Sequence, residues 1–323
     1  MIGLIIRRLL QLPFILLAVY TITFFLAWSL PGEAVLKDEG RAKSQAIIDA
    51  MNKRYNLESG EVFYVQYLFD ATGARWVASQ LSNKVRAPDY VFDLGPSFRH
   101  EDWTVNEIIG SSLPVSMVLG LSAILIATIM GTVAGVLGAL KPNTWLDHST
   151  LALALIGISL PSFVIGTILL ILFPIWLGVG KVASWGTMGG VFLPAFTLSL
   201  PFAAYIARLT RLGMIDILSA DYIRTARAKG LPERTVLFKH ALKNAFLPVL
   251  SYLGPATAFA MTGSFVIEQV FAIPGLGQHF VDAVRNKDLF LIMGVTLVFS
   301  SMLILFNLAV DVLYRWVDPR IEV

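Results

Sequence analysis

Six apolar runs, each long enough to cross a bilayer and none containing a charged residue, leave this chain few possible architectures. They lie near Leu9–Leu30, Leu113–Leu140, Ser149–Leu172, Val191–Ala207, Phe246–Ile267 and Leu289–Val310. A spanning helix needs about 20 such residues, and hydrocarbon offers its backbone no partner outside the helix. Charged residues make up 15% of the chain, where a soluble domain has roughly a quarter. The runs therefore predict an all-α integral membrane protein with six transmembrane helices. Arg7 and Arg8 precede the first run as they would a secretory signal, but its length exceeds a signal core of about 7–15 residues. Residues 1–30 are read as an uncleaved anchor helix.

Orientation follows from basic residues in short loops. Between Arg208 and Lys243 stand eight lysines and arginines against three acids. Arg7 and Arg8, Lys141, Arg315 and Arg320 fall on the same side if there are six spans with both termini cytosolic. Residues 31–109 then lie outside. That stretch is long enough to carry structure of its own, and helix-like pieces (Ala46 to Tyr55, Val62 to Phe69) alternate with turns such as Asp93-Leu-Gly-Pro96. It is expected to form an extracytoplasmic loop or small subdomain. A five-helix core of 110–315, holding a cytosolic loop at 208–247, and a tail at 316–323 complete the division.

Several chemistries are excluded or disfavoured. The absence of cysteine rules out disulfides and thiolate metal sites. No phosphate-binding loop, H-E-x-x-H or G-x-S-x-G occurs, and the four histidines lack ligand spacing. Charge-free spans argue against ion coupling, which keeps ionisable groups at mid-membrane depth. Gly131, Gly135 and Gly138 superficially match a dinucleotide fingerprint, but without its strand and acid they predict close helix packing. Prolines 114, 161, 194, 201, 248 and 255 predict kinked or broken helices.

The cytosolic loop is the most informative segment. Ser219 is read as an N-cap, with Asp221 in the first turn and Arg224, Arg227 and Lys229 toward the other end, as the helix dipole favours. Gly230 suits the position after the C-cap and Pro232 the first turn of a following helix. Residues 220–229 should form about three turns, with a second helix running through Lys239 and Lys243 into the fifth run. The segment can rest on lipid headgroups or dock to a protein; small residues at Ala220, Thr225, Ala226, Ala228 and Gly230 favour close approach by a protein surface.

The sequence Tyr-Ile-Arg-Thr-Ala-Arg-Ala-Lys-Gly-Leu-Pro at 222–232, followed by Lys-His-Ala-Leu-Lys-Asn-Ala-Phe-Leu-Pro at 239–248, resembles the cytosolic EAA loop of oligopeptide and dipeptide ABC importer permeases. Further matches are Arg7-Arg-Leu-Leu10, Asp93-Leu-Gly-Pro-Ser-Phe98, Ser112-Leu-Pro-Val-Ser116, Phe271-Ala-Ile-Pro-Gly-Leu-Gly-Gln278, Asp311-Val-Leu-Tyr314 and Val317-Asp-Pro-Arg320. Together they look like the B-type subunit, over nearly the whole chain. Arg224-Thr225-Ala226 stands where the general pattern has Glu-Ala-Ala, and the stretch from Asp70 to Val91 is longer than in typical members.

The resemblance implies a type I ABC importer transmembrane-domain fold in a bacterial cytoplasmic (inner) membrane. It implies a homologous second permease subunit, two ATP-binding cassette ATPase subunits, an extracytoplasmic solute-binding protein and a peptide substrate. ATP and Mg would sit on the ATPases, with no cofactor, metal or catalytic residue on this chain and no nucleic acid among its partners. ATPase coupling falls to Asp221, Arg224, Thr225, Ala226, Lys229, Gly230 and Leu231. Candidate pathway or gate residues are Thr262, Ser264, Gln269, Pro274 and Gly275. Open alternatives are import of a nickel chelate, glutathione or sugar, a stand-alone secondary carrier or channel, and a membrane-embedded hydrolase.

Overall fold

The computed structural model describes residues 2–30, 52–82, 87–99, 103–180, 185–261 and 265–317. Among these the chain is helical, and β pairing is limited to the isolated bridge between Pro96 and Thr104. The expected helix piece beginning at Ala46 lies largely outside the described residues, as do Thr262, Ser264, His100 and Arg320.

The apolar runs become helices, though not six alike. Four are long and apolar enough to cross a membrane alone: α1 (Ile2–Trp28), α4 (Val105–Leu140), α7 (Met188–Leu218) and α13 (Leu289–Val317). Two short helices, α2 (Gly60–Ala71) and α3 (Ala74–Leu81), lie between α1 and α4 in sequence. The third run is split into α5 (Trp145–Ser159) and α6 (Ser162–Leu170, continuing as a π-helical turn over Ile171–Trp176), bent by 102°. Pro161 lacks an N–H and pushes Leu160 into an extended conformation (ψ 131°), which ends α5 there. Prolines 114, 194, 201 and 255 lie inside continuous helices instead.

After α7 come α8 (Asp221–Ala228) and α9, built of Glu233–Thr235, a π-helical Val236–Leu242 and Lys243–Ala245. The fifth run supplies α10 (Leu247–Met261) and the separate α11 (Phe265–Val270), followed by α12 (Leu276–Asn286). With 15 residues, α10 is about 22 Å long, short of the roughly 30 Å hydrocarbon core. One expected boundary moves. The loop expected from Arg208 starts later, because α7 continues unbroken to Leu218 and carries Arg208 and Arg211 within it.

Contacts sort the described chain into two units. The first, mainly Ser116–Pro274, is organised around α7. Gly131 and Gly135 give α4 its close approach: a Cβ on Gly131 would stand 2.6 Å from the Ala203 carbonyl, and one on Gly135 would stand 2.6 Å from the Ala207 carbonyl and Thr210 Cβ. The glycine spacing is thus a packing surface, as expected. Asp147 at the start of α5, its side chain 1% exposed, receives Arg211 Nε at 2.5 Å and Nη2 at 2.7 Å.

The second unit, Arg7–Val115 with Gly275–Met302, has an aromatic core including Tyr20, Phe24, Phe63, Tyr67, Phe98 and Phe290. Asp288 precedes α13 and is 1% exposed. It accepts from Ser97 Oγ at 2.7 Å, from the Phe98 N–H at 2.9 Å and from the Leu291 N–H at 3.2 Å. Burial pushes its carboxyl above the usual range, against the pull of those hydrogen bonds. Gly95, at φ +81°, lies where a Cβ would overlap the Phe290 ring. The Asp93-Leu-Gly-Pro-Ser-Phe98 stretch is therefore the strap that closes this core.

Candidate functional site

The loop between α7 and α10 is a folded hub rather than a flexible link. Two residues join α7 to α8 and one joins α9 to α10. Apolar residues Ala139, Met214, Ile223, Ala226, Val236, Ala241 and Ala245 form a buried cluster beneath it. Helix α8 contributes Ile223 (0% exposed) and Ala226, three residues apart and hence on one face. An eight-residue helix is marginal in water, and this burial holds it. Gly213 lets α7 touch α9 directly, since a Cβ there would lie 2.7 Å from the Ala245 carbonyl. Tyr222 Oη accepts from Asn244 Nδ2 at 3.0 Å, a second tie between α8 and α9.

The end of α8 is set by local hydrogen bonds. The Gly230 N–H donates to the Arg227 carbonyl at 2.9 Å, and the Leu231 N–H to the Ala226 carbonyl at 3.3 Å. This is the Schellman pattern, with Lys229 as C-cap and Gly230 left-handed at φ +73°. Across the turn, Arg227 grips Glu233 through Nη2 at 2.7 Å and Nε at 3.3 Å. Hydrogen bonding from Arg227 holds the Glu233 carboxyl below its usual range. The pair is about half exposed (43% and 56%), so it contributes little stability; it fixes the angle of the turn.

Two details differ from expectation. Ser219 does not cap α8: its hydroxyl donates to the Asp216 carbonyl at the end of α7, and the extended Ala220 (ψ 149°) takes the N-cap position without a side-chain bond. The helix is also two turns, Asp221–Ala228, rather than three, because extended Ala220 and left-handed Gly230 bracket it. Of the predicted coupling residues, Asp221, Arg224, Thr225, Lys229, Gly230 and Leu231 are exposed together on the helix and its cap. Ala226 faces the other way, into the cluster. The outward surface is thus mostly polar, with Tyr222 and Leu231 also exposed on it; Arg224 lies 3.5 Å from Asp221 and Arg227 is paired with Glu233.

The pathway candidates are more scattered. Thr262 and Ser264 lie outside the described residues. Gln269 is exposed on α11, Pro274 is exposed in the segment after it, and Gly275 is the buried N-cap of α12. Sequence reasoning missed Glu268, fully buried and receiving the Ser116 hydroxyl at 2.8 Å. An acid directly abutting the fifth apolar run was the available signal. It also missed Ile223 as the anchor of α8, though its spacing from Ala226 was readable. Asp147 with Arg211 had no local signal.

Residues 127–323 match the family described as binding-protein-dependent transport system inner membrane component. The dipeptide transport system permease protein DppB of Bacillus subtilis is 38% identical over 98% of this chain and 97% of its own length. The oligopeptide transport system permease proteins OppB of Salmonella typhimurium and Escherichia coli are each 40% identical over the full length of both chains. Among solved structures, an inward-facing form of the MetNI methionine ABC transporter aligns with a TM-score of 0.53 at 16% identity, over 65% of this chain and 96% of that one. An amino acid ABC transporter crystallised with histidines aligns with a TM-score of 0.50 at 16% identity, over 65% and 94%. At that identity the likeness concerns fold alone, and the fold is that of type I ABC importer transmembrane domains.

Proposed function

This chain belongs to the binding-protein-dependent transport system inner membrane components, and from that premise we propose that it is one permease subunit of an ATP-driven peptide importer in a bacterial inner membrane. Supporting the substrate class is identity near 40% along the whole chain to oligopeptide and dipeptide permeases. The chain provides half of a translocation pathway together with a homologous second permease. Two ATPase subunits carry ATP and Mg on the cytosolic side, and a solute-binding protein delivers peptide outside. Six spans, both termini cytosolic, and the division at 1–30, 31–109, 110–315 and 316–323 complete the reading.

One observation carries the coupling role: α8 presents a mostly polar face outward while being locked to two helices behind it. When ATP closes the ATPases around α8, its displacement passes through Ile223 and Ala226 into the cluster shared with α7 and α9. The short connections leave no slack, so α7 and α10 move with it. Asp221, Arg224, Thr225, Lys229, Gly230 and Leu231 form the docking face, and Ala226 its underside. Gln269, Pro274 and Gly275, with Thr262 and Ser264, are retained as pathway or gate residues.

The test is reconstitution of this chain with its second permease and ATPases in proteoliposomes, with the binding protein and a labelled short peptide. ATP-dependent peptide accumulation is expected, with no ATP hydrolysis by the permease pair alone. Uptake of a nickel chelate or sugar in place of peptide would overturn the substrate class.

A further inference from the structure

A cavity of about 430 Å³ opens within the second unit, lined by residues between Arg54 and Thr104 together with Phe290. Small-ligand sites span roughly 300–1,000 Å³, so it is large enough to hold one. Phe63, Tyr67 and Phe290 form its floor and are themselves buried. Phe290 meets Phe63 at 5.2 Å and Tyr67 at 5.5 Å between ring centroids, so the floor is one continuous aromatic surface. It is also fixed in place. Gly95 leaves room for the Phe290 ring, and Asp288 fastens the strap to the start of α13 through Ser97 and Phe98. A site shaped before its ligand arrives has little ordering cost to meet.

The charges around this floor fall into two groups. In the wall, Arg75 Nη1 donates to both oxygens of Asp70, at 3.0 and 3.2 Å. Burial pushes the Asp70 carboxyl above its usual range against the pull of Arg75, so the wall is poorly hydrated. That pair satisfies itself. The rim does not. Arg54 stands over the Tyr55 ring at 5.4 Å, and Asp89 and Asp93 line the same cavity. Asp93 accepts the Gly95 N–H at 2.9 Å. Among the described residues, none of these three charged groups forms an ion pair. Arg54 and Asp89 are exposed, which places the mouth at solvent on the side proposed to lie outside. A ligand carrying an ammonium at one end and a carboxylate at the other pairs with both signs of charge. A metal ion does not fit: among the described residues no three acids or histidines converge.

We propose that this cavity is a binding site for a free di- or tripeptide on the permease itself. The peptide ammonium lies toward Asp89 and Asp93, its carboxylate toward Arg54, and an apolar side chain on the Phe63–Tyr67–Phe290 floor. None of the lining residues is among the pathway candidates. The proposal rests on the peptide-importer reading for why such a ligand reaches this face, but binding is measured without transport.

Radiolabelled Ala-Phe would be equilibrated by dialysis against this chain in complex with its second permease and ATPases, with no binding protein and no ATP. Saturable binding is expected. N-acetyl-Ala-Phe and Ala-Phe-amide should each bind about tenfold more weakly, as loss of one charge-assisted contact implies. Asp89→Asn should weaken Ala-Phe by a comparable factor and leave the N-acetyl analogue unchanged. Arg54→Gln should weaken Ala-Phe and leave the amide unchanged. Absence of saturable binding, equal affinity for the blocked analogues, or variants that lose all three ligands alike would overturn the proposal. Equal binding of free phenylalanine overturns the peptide class. Peptide uptake by the reconstituted importer is read separately. Uptake without binding here removes this site and leaves the transport reading, whereas charge-dependent binding without peptide uptake removes the transport reading and leaves the site.

Discussion

Replacing Asp147 by alanine should destabilise the importer far more than its position in sequence suggests. The carboxylate is 1% exposed and holds three donors: Nε and Nη2 of Arg211 at 2.5 and 2.7 Å, and the Asn143 N–H at 2.9 Å. Arg211 is itself only 17% exposed, so without Asp147 its charge remains in a poorly hydrated site between α5 and α7. Breaking a buried pair from one side costs about 3–5 kcal/mol, mostly through the stranded charge. Arg211→Met should cost a similar amount by stranding the carboxylate. The double variant removes both charges and should cost less than about 2 kcal/mol, giving a coupling energy of several kcal/mol. Equilibrium unfolding of the purified protein in mixed micelles, titrated with a denaturing detergent, would supply the three values. Costs that simply add, or a single Asp147→Ala cost below about 1 kcal/mol, would refute the argument that this pair fastens α5 to α7.

A Cβ on Gly230 would meet open space, but φ there is +73°, so only conformation opposes substitution, at about 1–2 kcal/mol for a β-branched residue. Gly230→Val should leave membrane insertion normal while lowering transport and ATPase co-purification; Gly230→Asn, which tolerates the left-handed region, should retain both. Lys229→Glu should also weaken ATPase retention if that cation meets an acidic partner surface. Gly213→Ala is the contrasting case: its methyl would meet the Ala245 carbonyl at 2.7 Å, so α7 and α9 must separate, and thermal stability should fall by roughly 1–3 kcal/mol. For topology, Ser82→Cys should react with an impermeant thiol reagent in intact spheroplasts, while Asn143→Cys is spared.

What could be read from sequence was what depends on neighbours along the chain. Apolar runs become helices because hydrocarbon leaves the backbone no other partners. The Gly230 cap was legible because its hydrogen bonds reach back only three and five residues, from Gly230 to Arg227 and from Leu231 to Ala226. The Ser219 cap does not form because Ala220 takes the extended N-cap conformation and leaves Ser219 on the end of α7, where its hydroxyl donates to the Asp216 carbonyl. The break at Pro161 and the continuity through Pro194 and Pro201 look alike in sequence; whether neighbouring helices support the proline decides which occurs. Tertiary structure alone joined Asp147 to Arg211, Ser116 to Glu268 and Ser97 to Asp288, pairs separated by 64, 152 and 191 residues. It alone turned Ala226 inward and Arg224 outward, and laid α2 along α1. A charge or an aromatic ring announces its chemistry in sequence, but its partner is chosen by which helix faces the packing of the whole chain brings within reach.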